Sequence, residues 1–290
     1  MNLVYQEISD NFREFKKLFS HPHAARLYER PGLLLIDSGT PFSSWNSIIT
    51  CAQPGDSIER LTEEINRFYS QTKTPLCWWT CPGTDSTEIL KNPFFSSFQL
   101  TEVTAAMAMD LETYLPQDEK LPALKITTVS SPEEIDSFIS VLRRSYELPL
   151  FTRDALLAVI TQNIFNSPAS LILYIANRGS VAVGCAALFL TDDVAGLYYV
   201  GTLPSHRAMG IGTALTVHCL NNARNLQCRQ AVLRASESGE RMYTRLGFKK
   251  FGEFKKFIWN RHPYKNMVWK AKYLLGIALD KAMEDAIWFS

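Results

Sequence analysis

The sequence lacks the long apolar run that a membrane-spanning helix requires. Its longest apolar run, Val181–Leu190, is shorter than the roughly 18 residues that such a helix needs. An excess of one charge is also missing, because 30 lysines and arginines offset 29 aspartates and glutamates. The first residues do not show the charged and then apolar order of a secretory signal. We therefore expect a cytoplasmic protein with no membrane partner and no nucleic-acid partner.

Cysteine is scarce, and its spacing is not that of a metal site. The chain has six cysteines, and cytosolic thiols normally stay reduced. Cys77 and Cys81 stand four residues apart, on the same face of an expected strand, which would suit zinc. A second pair of Cys or His at a spacing typical of zinc sites is missing. The sequence therefore predicts no metal site.

The length of the chain sets an expectation for its domains. A chain of 290 residues, 46% of them apolar, suits about two packed domains. Residues 114–122 are polar with two prolines, which is typical of a linker. We therefore predict an N-terminal domain at 1–115, a linker at 116–122 and a second domain at 123–260. The broadly helical pattern at 261–290 predicts a C-terminal extension that could cover the domain, bind a partner or join two copies as a homodimer.

The second half of the sequence alternates strand and helix patterns. Ser131, Pro132 and Glu134 have the spacing of a capping box, so they predict a helix that starts after Ser131. Two apolar runs joined by residues 177–180 predict a hairpin. The other predicted elements are strands at Leu124–Val129, Val194–Thr202 and Gln230–Ala235, helices from Thr152, from Ile211 and at Gly239–Leu246, and a last strand ending at Trp259.

The first half shows a similar order of elements. The predicted elements are strands at Gly32–Ile36, Trp45–Cys51, Pro75–Thr80 and Val103–Leu111, a helix capped by Ser57, and a short helix at Thr87–Lys91. Helix, strand, short helix and strand thus occur at residues 57–111 and again at 211–259, which indicates a repeat and a mixed α/β fold. Trp78 and Trp79 are neighbours in a strand and face opposite ways, and we expect both in the core.

The segment Arg207-Ala-Met-Gly210-Ile-Gly212 lies between a predicted strand and a predicted helix. Glycines there let a ligand approach the backbone closely and expose its N–H groups. The helix that follows adds its positive N-terminal end, so the segment suits an anion, most naturally a pyrophosphate. Arg207 could add a charge or simply hold the loop. The alternative is a glycine-rich connection without a ligand.

The chain resembles the GNAT family of acetyl-CoA-dependent N-acetyltransferases. The family signature, Arg or Gln-x-x-Gly-x-Gly or Ala after a strand, matches residues 207–212. The Tyr and Leu-Gly-Phe that follow in the family match Tyr243 and Leu246-Gly247-Phe248. The resemblance covers about residues 123–260, and the first half resembles the degenerate N-terminal halves of tandem members. It implies the GNAT acyl-CoA N-acyltransferase fold, with two tandem GNAT-like domains followed by the C-terminal helix.

The resemblance also implies acetyl-CoA as cosubstrate and assigns residues to it. In the family, the backbone of the strand before the signature pairs with the pantetheine arm, and the matching positions are Val200, Gly201 and Thr202. The pyrophosphate lies on backbone amides after the Arg or Gln, here Arg207, and the matching amides are those of Ala208, Met209, Gly210, Ile211, Gly212 and Thr213. The family tyrosine commonly protonates the departing thiolate, and its match is Tyr243, for which a core tyrosine is the alternative.

Two positions depart from the family pattern. Many members have an Asn that contacts the cofactor where this chain has Ser236, whose shorter side chain we expect to replace that contact in part. Some members have a catalytic Glu where this chain has Ala231, so the general base is open. Candidates are Glu237, Tyr198 and Tyr199, or a water relay, and Glu237 fits a solvated loop charge better.

The function expected from this resemblance is transfer of an acetyl group to a primary amine. The acceptor would be a small molecule or a protein, attacking directly in a ternary complex. A non-catalytic acyl-CoA-binding regulator and an interaction scaffold are the alternatives. The first half lacks the glycine signature and has Asp56, which would repel phosphate, so we expect it to bind no CoA.

Overall fold

The computed structural model describes residues 3–20, 25–40, 42–51, 57–70, 74–117, 121, 123–166 and 170–259. The predicted C-terminal extension and Asp56 therefore lie outside the described residues. Contacts divide the chain into two compact units. Unit 1 comprises residues 1–116, 189–198 and 220–260, and unit 2 comprises residues 117–188, 199–219 and 261–290.

In the second half of the chain, the bounds of the helices and strands are close to the predicted ones. The first half contains α1 (Leu3–Lys17), β1 (Arg26–Arg30), β2 (Leu33–Asp37), β3 (Ser47–Thr50), α2 (Ile58–Tyr69), β4 (Cys77–Thr80), α3 (Ser86–Leu90) and β5 (Phe98–Asp110). The second half contains β6 (Leu124–Thr128), α4 (Pro132–Ser145), α5 (Thr152–Asn166), β7 (Leu171–Arg178), β8 (Val181–Thr191), β9 (Val194–Thr202), α6 (Ile211–Asn225), β10 (Gln230–Ala235), α7 (Glu237–Arg245) and β11 (Lys249–Trp259).

Unit 1 is built on a mixed sheet in which strands from both sequence halves interleave. Its strand order is β1, β2, β3, β4, β11, β5, β10 and β9. β11 lies between β4 and β5 and is antiparallel to both, and β10 is antiparallel to β5. Two pairs are parallel, β3 with β4 and β9 with β10. The linear domain boundaries remain a prediction, but the packing does not sort the strands by sequence half.

The core of unit 1 fills both faces of this sheet. One face carries a cluster that includes Ile8 and Phe12 of α1 together with Trp79 and Phe254. The opposite face carries a cluster of α2 residues with Trp78, Phe95 and Phe257. Trp78 and Trp79 are thus both buried, on opposite faces, as predicted from their adjacent positions.

Helix α1 is an element that the sequence analysis did not predict. Its buried Ile8, Phe12 and Phe15 recur at helical spacing, which is the signal that could have revealed it. β1 is likewise absent from the sequence predictions. Its five residues are mostly exposed and therefore give no alternating pattern of buried and exposed positions.

Unit 2 contains β6, β7 and most of β8 as neighbouring strands, with α4 and α5. The predicted capping box is confirmed, because the Ser131 side chain accepts from the Glu134 N–H and the Glu134 side chain binds the N-cap backbone. The hairpin turn is also confirmed, with Gly179 at a φ of +60°. No helix among the described residues combines the length and apolarity needed to cross a bilayer.

Candidate functional site

The connection from β9 to α6 exposes a stretch of unusual backbone. Ala208 and Gly210 have φ values of +61° and +80°, and residues 208–210 are exposed. α6 starts immediately afterwards at Ile211, whose side chain is buried. Alternation of this kind turns successive N–H groups toward one side, which makes a concave site for an anion.

The N–H groups of this connection are available for a ligand. Within the described residues, the amides from Ala208 to Thr213 donate to no backbone acceptor, and the first helical bond of this region runs from Ala214 N to Gly210 O at 2.9 Å. The first amides of any helix lack a partner within the helix. Gly210 has no side chain that could cap them, so an anion can approach the positive end of α6.

The loop is held in place by contacts within unit 2. Arg207 donates from Nη2 to the Ser145 carbonyl at 3.0 Å, and Leu203 N donates to the Val183 carbonyl at 3.0 Å. The start of α6 packs tightly on β8, since a Cβ at Gly184 would lie 2.8 Å from Ile211 Cγ2. Of the two roles predicted for Arg207, the structure thus supports the one in which it holds the loop.

The end of β9 changes its backbone before it reaches the loop. Its parallel ladder with β10 joins Val194–Leu197 to Gln230–Leu233, and β9 then continues to Thr202. Tyr199 has a φ of +54°, which is rare for an aromatic residue and typical of a functional or strained site.

The positions matched to the pantetheine arm have contacts with the end of α4. The Tyr146 hydroxyl donates to the Val200 carbonyl at 3.0 Å. A Cβ at Gly201 would lie only 2.9 Å from Ser145 Cβ, so close packing requires the glycine. Thr202 is half-buried beside them in the chain. The sequence analysis missed these contacts, because nothing local marks Ser145 or Tyr146.

Tyr243 and Ser236 lie on α7 in unit 1. Tyr243 is 8% exposed, and its ring meets Phe248 edge to face with centroids 5.8 Å apart. Ser236 is the N-cap of α7, and its hydroxyl accepts from Gly239 N at 3.3 Å. Gly247, with a φ of +103°, follows the end of the helix as predicted. Ser236 therefore has a structural role whether or not it contacts a ligand.

The candidates for a general base differ in their surroundings. The Tyr198 hydroxyl donates to Asn11 Oδ1 at 2.8 Å, and its ring stacks on Phe15 at 3.6 Å, so this side chain anchors α1. Glu237 is exposed in the first turn of α7. Ala231 is fully buried in β10. Unit 2 thus brings together Val200–Thr202 and the loop, while unit 1 holds Ser236, Glu237, Tyr198 and Tyr243.

Two cysteines of the described residues are buried where a thiolate is disfavoured. Burial raises the pKa of the Cys185 and Cys81 thiols, which disfavours their reactive thiolate forms. Among the described residues, no three or more His, Cys, Asp or Glu side chains are grouped as metal ligands would be.

Comparison with known proteins gives a family match and several structural matches. Residues 135–248 match the model of the acetyltransferase (GNAT) family. A GCN5-related N-acetyltransferase from Kribbella flavida is 17% identical, with a TM-score of 0.66 over 89% of this chain and 96% of that one. A tandem GNAT protein from the clavulanic acid biosynthesis pathway is 14% identical, with a TM-score of 0.58 over 85% of this chain and 86% of that one. A GCN5-related N-acetyltransferase from Sphaerobacter thermophilus is 14% identical, with a TM-score of 0.57 over 81% of this chain and 75% of that one.

None of the curated proteins matches the chain. The structural matches cover most of the chain at low identity and therefore establish its fold, while the family model covers the segment that contains the loop. Residues 135–248 thus carry a sequence of the acetyltransferase (GNAT) family, in a chain whose fold is the GNAT-like mixed α/β fold.

Proposed function

We propose that this protein is an acetyl-CoA-dependent N-acetyltransferase that acetylates a primary amine of a small molecule or a protein. The row of unpaired amides from Ala208 to Thr213, at the start of α6, is the observation that carries the proposal. Backbone N–H groups at a helix N-terminus suit a pyrophosphate, which is the charged part of CoA nearest its pantetheine arm. Family membership of residues 135–248 supports acyl-CoA as the ligand.

The residues of the loop would fix the cosubstrate. The amides of Ala208, Met209 and Gly210, followed by those of Ile211, Gly212 and Thr213, would hold its pyrophosphate. The pinned position of Arg207 keeps these amides ordered, because its guanidinium is tied to the Ser145 carbonyl. The backbone of Val200, Gly201 and Thr202 leads into the loop and would follow the pantetheine arm.

The transfer itself needs an uncharged amine and a protonated leaving group. An amine with a pKa near 10.4 is mostly protonated at neutral pH, so a base or a desolvated site must expose its lone pair. The lone pair forms the new C–N bond, the C–S bond of the thioester breaks, and the amine proton goes to a base or water. Tyr243 would donate its phenolic proton to the departing thiolate. Holding both substrates together supplies much of the rate.

A regulator that binds acyl-CoA without catalysis is the second candidate function. Two observations favour it. Ala231 stands fully buried where some family members have a catalytic Glu, and Ser236 is occupied as a helix cap. Such a protein would bind acetyl-CoA through the same loop and release no CoA.

Calorimetric titration of the full chain with acetyl-CoA tests the loop assignment. We expect saturable binding of one molecule per chain, and absence of binding would contradict both candidate functions. A panel of primary amines, with detection of the free thiol of CoA, then separates them. Release of CoA that depends on the amine supports the enzyme, and tight binding without release for any amine supports the regulator.

A further inference from the structure

Three cationic side chains of unit 1 surround the ring of Trp79. The Arg234 guanidinium carbon lies 4.2 Å from the ring centroid, and the ammonium nitrogens of Lys256 and Lys16 lie 5.2 Å and 6.0 Å from it. The residues come from β10, β11 and α1, and Trp79 comes from β4. We call Lys16, Trp79, Arg234 and Lys256 the basic cluster.

The basic cluster has one carboxylate near it among the described residues. Glu102 of β5 lies 3.4 Å from Arg234 Nη1 and 3.7 Å from Lys256 Nζ. The remaining contacts of the lysines are neutral, since Lys256 donates to Ser44 Oγ at 2.9 Å and Lys16 donates to the Ser44 carbonyl. Three positive charges therefore face one negative charge.

This imbalance is costly where the side chains are shielded from water. Lys16 is buried, and Lys256 and Arg234 have side chains only 15% and 28% exposed. Burial first, and then the nearby charges of Lys256 and Arg234, lower the pKa of Lys16 to about 8 against the opposing effects of Cys77 and Glu102. Packed cations of this kind are stabilised by a bound anion.

Two buried polar atoms beside the cluster also lack partners. Trp79 Nε1 and Thr104 Oγ1 are enclosed and make no hydrogen bond to the described residues. Thr104 lies two residues after Glu102 in β5 and therefore on the same face of the sheet. Buried polar groups without a partner are rare in folded proteins, so these two atoms are available to hydrogen-bond a ligand.

We propose that the basic cluster binds the carboxylate or phosphate group of a small-molecule ligand. The guanidinium of Arg234 and the ammonium groups of Lys16 and Lys256 supply the charge, and the Trp79 ring forms the apolar wall beside them. The basic cluster shares no residue with the loop at the start of α6, because all four of its residues belong to unit 1 and the loop belongs to unit 2.

The acceptor is the source of this anionic group, and this assignment rests on the proposed function. Arg234 lies in β10 two residues before Ser236, which caps the helix that carries Tyr243. A charged side chain so close in sequence to that helix suits an acceptor that has both an amine and an acid group. The assignment narrows the substrate class from any primary amine to an acidic one.

Titration of the full chain with glutarate and with inorganic phosphate, in separate arms, tests the anion site. We expect saturable binding in the calorimeter for at least one of the two probes, weakened about tenfold or more by Arg234→Gln and by Lys256→Gln. Lys250→Gln is the matched control, since Lys250 is an exposed lysine of the same strand paired with Glu253. Equal binding by all variants would mean an adventitious ion only, and no binding by the unmodified chain would overturn the site outright.

Two further variants guard against a loss of folding in the first pair. Trp79→Phe keeps an aromatic ring and removes the indole N–H, and we expect about threefold weaker binding. Lys16 faces Arg234, Lys256, Glu102 and the Cys77 thiol. Because the pKa of Lys16 is about 8, its charge and hence the affinity should decline from pH 7 to about pH 9.5, and Lys16→Met should flatten that profile. Unchanged affinity in Trp79→Phe together with equal profiles in Lys16→Met would overturn the assigned contacts.

Pairs of amines that differ only in a carboxylate test the source of the anion. We expect the unmodified chain to acetylate the acidic member with the higher kcat/KM, and Arg234→Gln to lose that preference through KM. Equal kcat/KM for both members would overturn the acceptor assignment and leave the anion titration intact. Failure to bind acetyl-CoA would instead overturn the proposed function and leave the anion site standing.

Discussion

Two pairs of parallel strands in unit 1, β3 with β4 and β9 with β10, occur in the same order of elements but differ in how far their hydrogen bonds extend. β3 and β4 pair along their whole length, from Ser47 with Cys77 to Thr50 with Thr80. The pairing is extended by Cys81 N, which donates to Thr50 O at 2.9 Å. β9 and β10 pair from Val194 to Leu197 only, and β9 then runs on to Thr202. The first pair is closed by its own hydrogen bonds, while the second leaves backbone beyond its ladder.

The helices that follow the first strand of each pair differ in the same sense. α2 begins after Ser57, whose hydroxyl accepts from Arg60 N at 3.2 Å. α6 begins after Gly210, which has no side chain to offer its amides. A side-chain cap satisfies a donor and stabilises a helix, whereas an uncapped start leaves its donors to a ligand. Under the proposed function, one strand, loop and helix arrangement therefore serves stability in the first half of the chain and binding in the second.

Replacement of Gly210 by valine should have the largest effect, a loss of acetyl-CoA binding at the start of α6. A β-branched residue at a φ of +80° forces the loop to change, and the amides that follow lose their common direction. We expect the Kd for acetyl-CoA to rise about a hundredfold or more, because each lost hydrogen bond to a charged group costs about 1.5–3 kcal/mol. Titration calorimetry measures the change.

Gly179→Val is the matched control for this prediction. Gly179 has a φ of +60° in a hairpin turn of the same unit, and no atom lies within 4 Å of an added Cβ. It therefore suffers similar backbone strain, and its added side chain would meet no loop atom, although the neighbouring Arg178 donates from Nη1 to Met209 Sδ at 3.5 Å. If both variants lose acetyl-CoA binding equally, strain rather than the loop amides explains the effect.

Tyr243→Phe should lower turnover and spare binding. The short helix after β10 carries this tyrosine, whereas α3, the short helix after β4, reads Ser-Thr-Glu-Ile-Leu and has none. Loss of a proton donor for the leaving thiolate should reduce kcat about tenfold to a hundredfold, with the acetyl-CoA Kd unchanged. Steady-state kinetics beside calorimetry, with the exposed Tyr28→Phe as control, would detect it. Unchanged kcat would remove Tyr243 from the proposed chemistry.

Much of the second half could be predicted from sequence because its signals are local. The capping box at Ser131 and Glu134 and the glycine after α7 each depend on neighbours in the chain, and both predictions are confirmed. β10 has the predicted bounds, Gln230–Ala235. The signature at residues 207–212 located the loop, since glycines and a following helix leave a recognisable pattern.

The remainder depends on pairings that the sequence does not encode locally. The position of β11 between β4 and β5 joins residues more than 140 apart, for example Lys250 with Met107. The anchoring of Arg207 on Ser145 and the meeting of Arg234 with Trp79 likewise arise from packing of distant elements. A lone lysine in α1 or arginine in β10 reads as a surface charge until the sheet brings them together.

Variants of Arg207 should show how the loop between β9 and α6 is held, with a smaller effect on the acetyl-CoA Kd than Gly210→Val. If the side chain acts by holding the loop, Arg207→Ala should raise the acetyl-CoA Kd about fivefold, which is about 1 kcal/mol for one hydrogen bond. Arg207→Gln keeps a donor for the Ser145 carbonyl and should raise the Kd only about twofold. Calorimetry of both variants decides the matter, because equal losses would show that the positive charge, and not the bond to Ser145, contributes to binding.

Replacement of Ser57 by alanine should have the smallest effect and the opposite character. The hydroxyl of Ser57 caps α2, so its loss should cost about 1 kcal/mol of unfolding free energy and lower the Tm by a few degrees, about 2–4 °C. The acetyl-CoA Kd and the stoichiometry of one acetyl-CoA per chain should not change, because β3 and β4 beside this helix are hydrogen-bonded to each other along their whole length. Ser70→Ala, at the other end of α2, should destabilise less, since its hydroxyl donates to an exposed carbonyl that water can also satisfy. A change in the acetyl-CoA Kd with Ser57→Ala would mean that the first half takes part in binding CoA. The contrast between the β3–α2 connection, which has its own helix cap, and the β9–α6 connection, which leaves its amides to a ligand, would then be wrong.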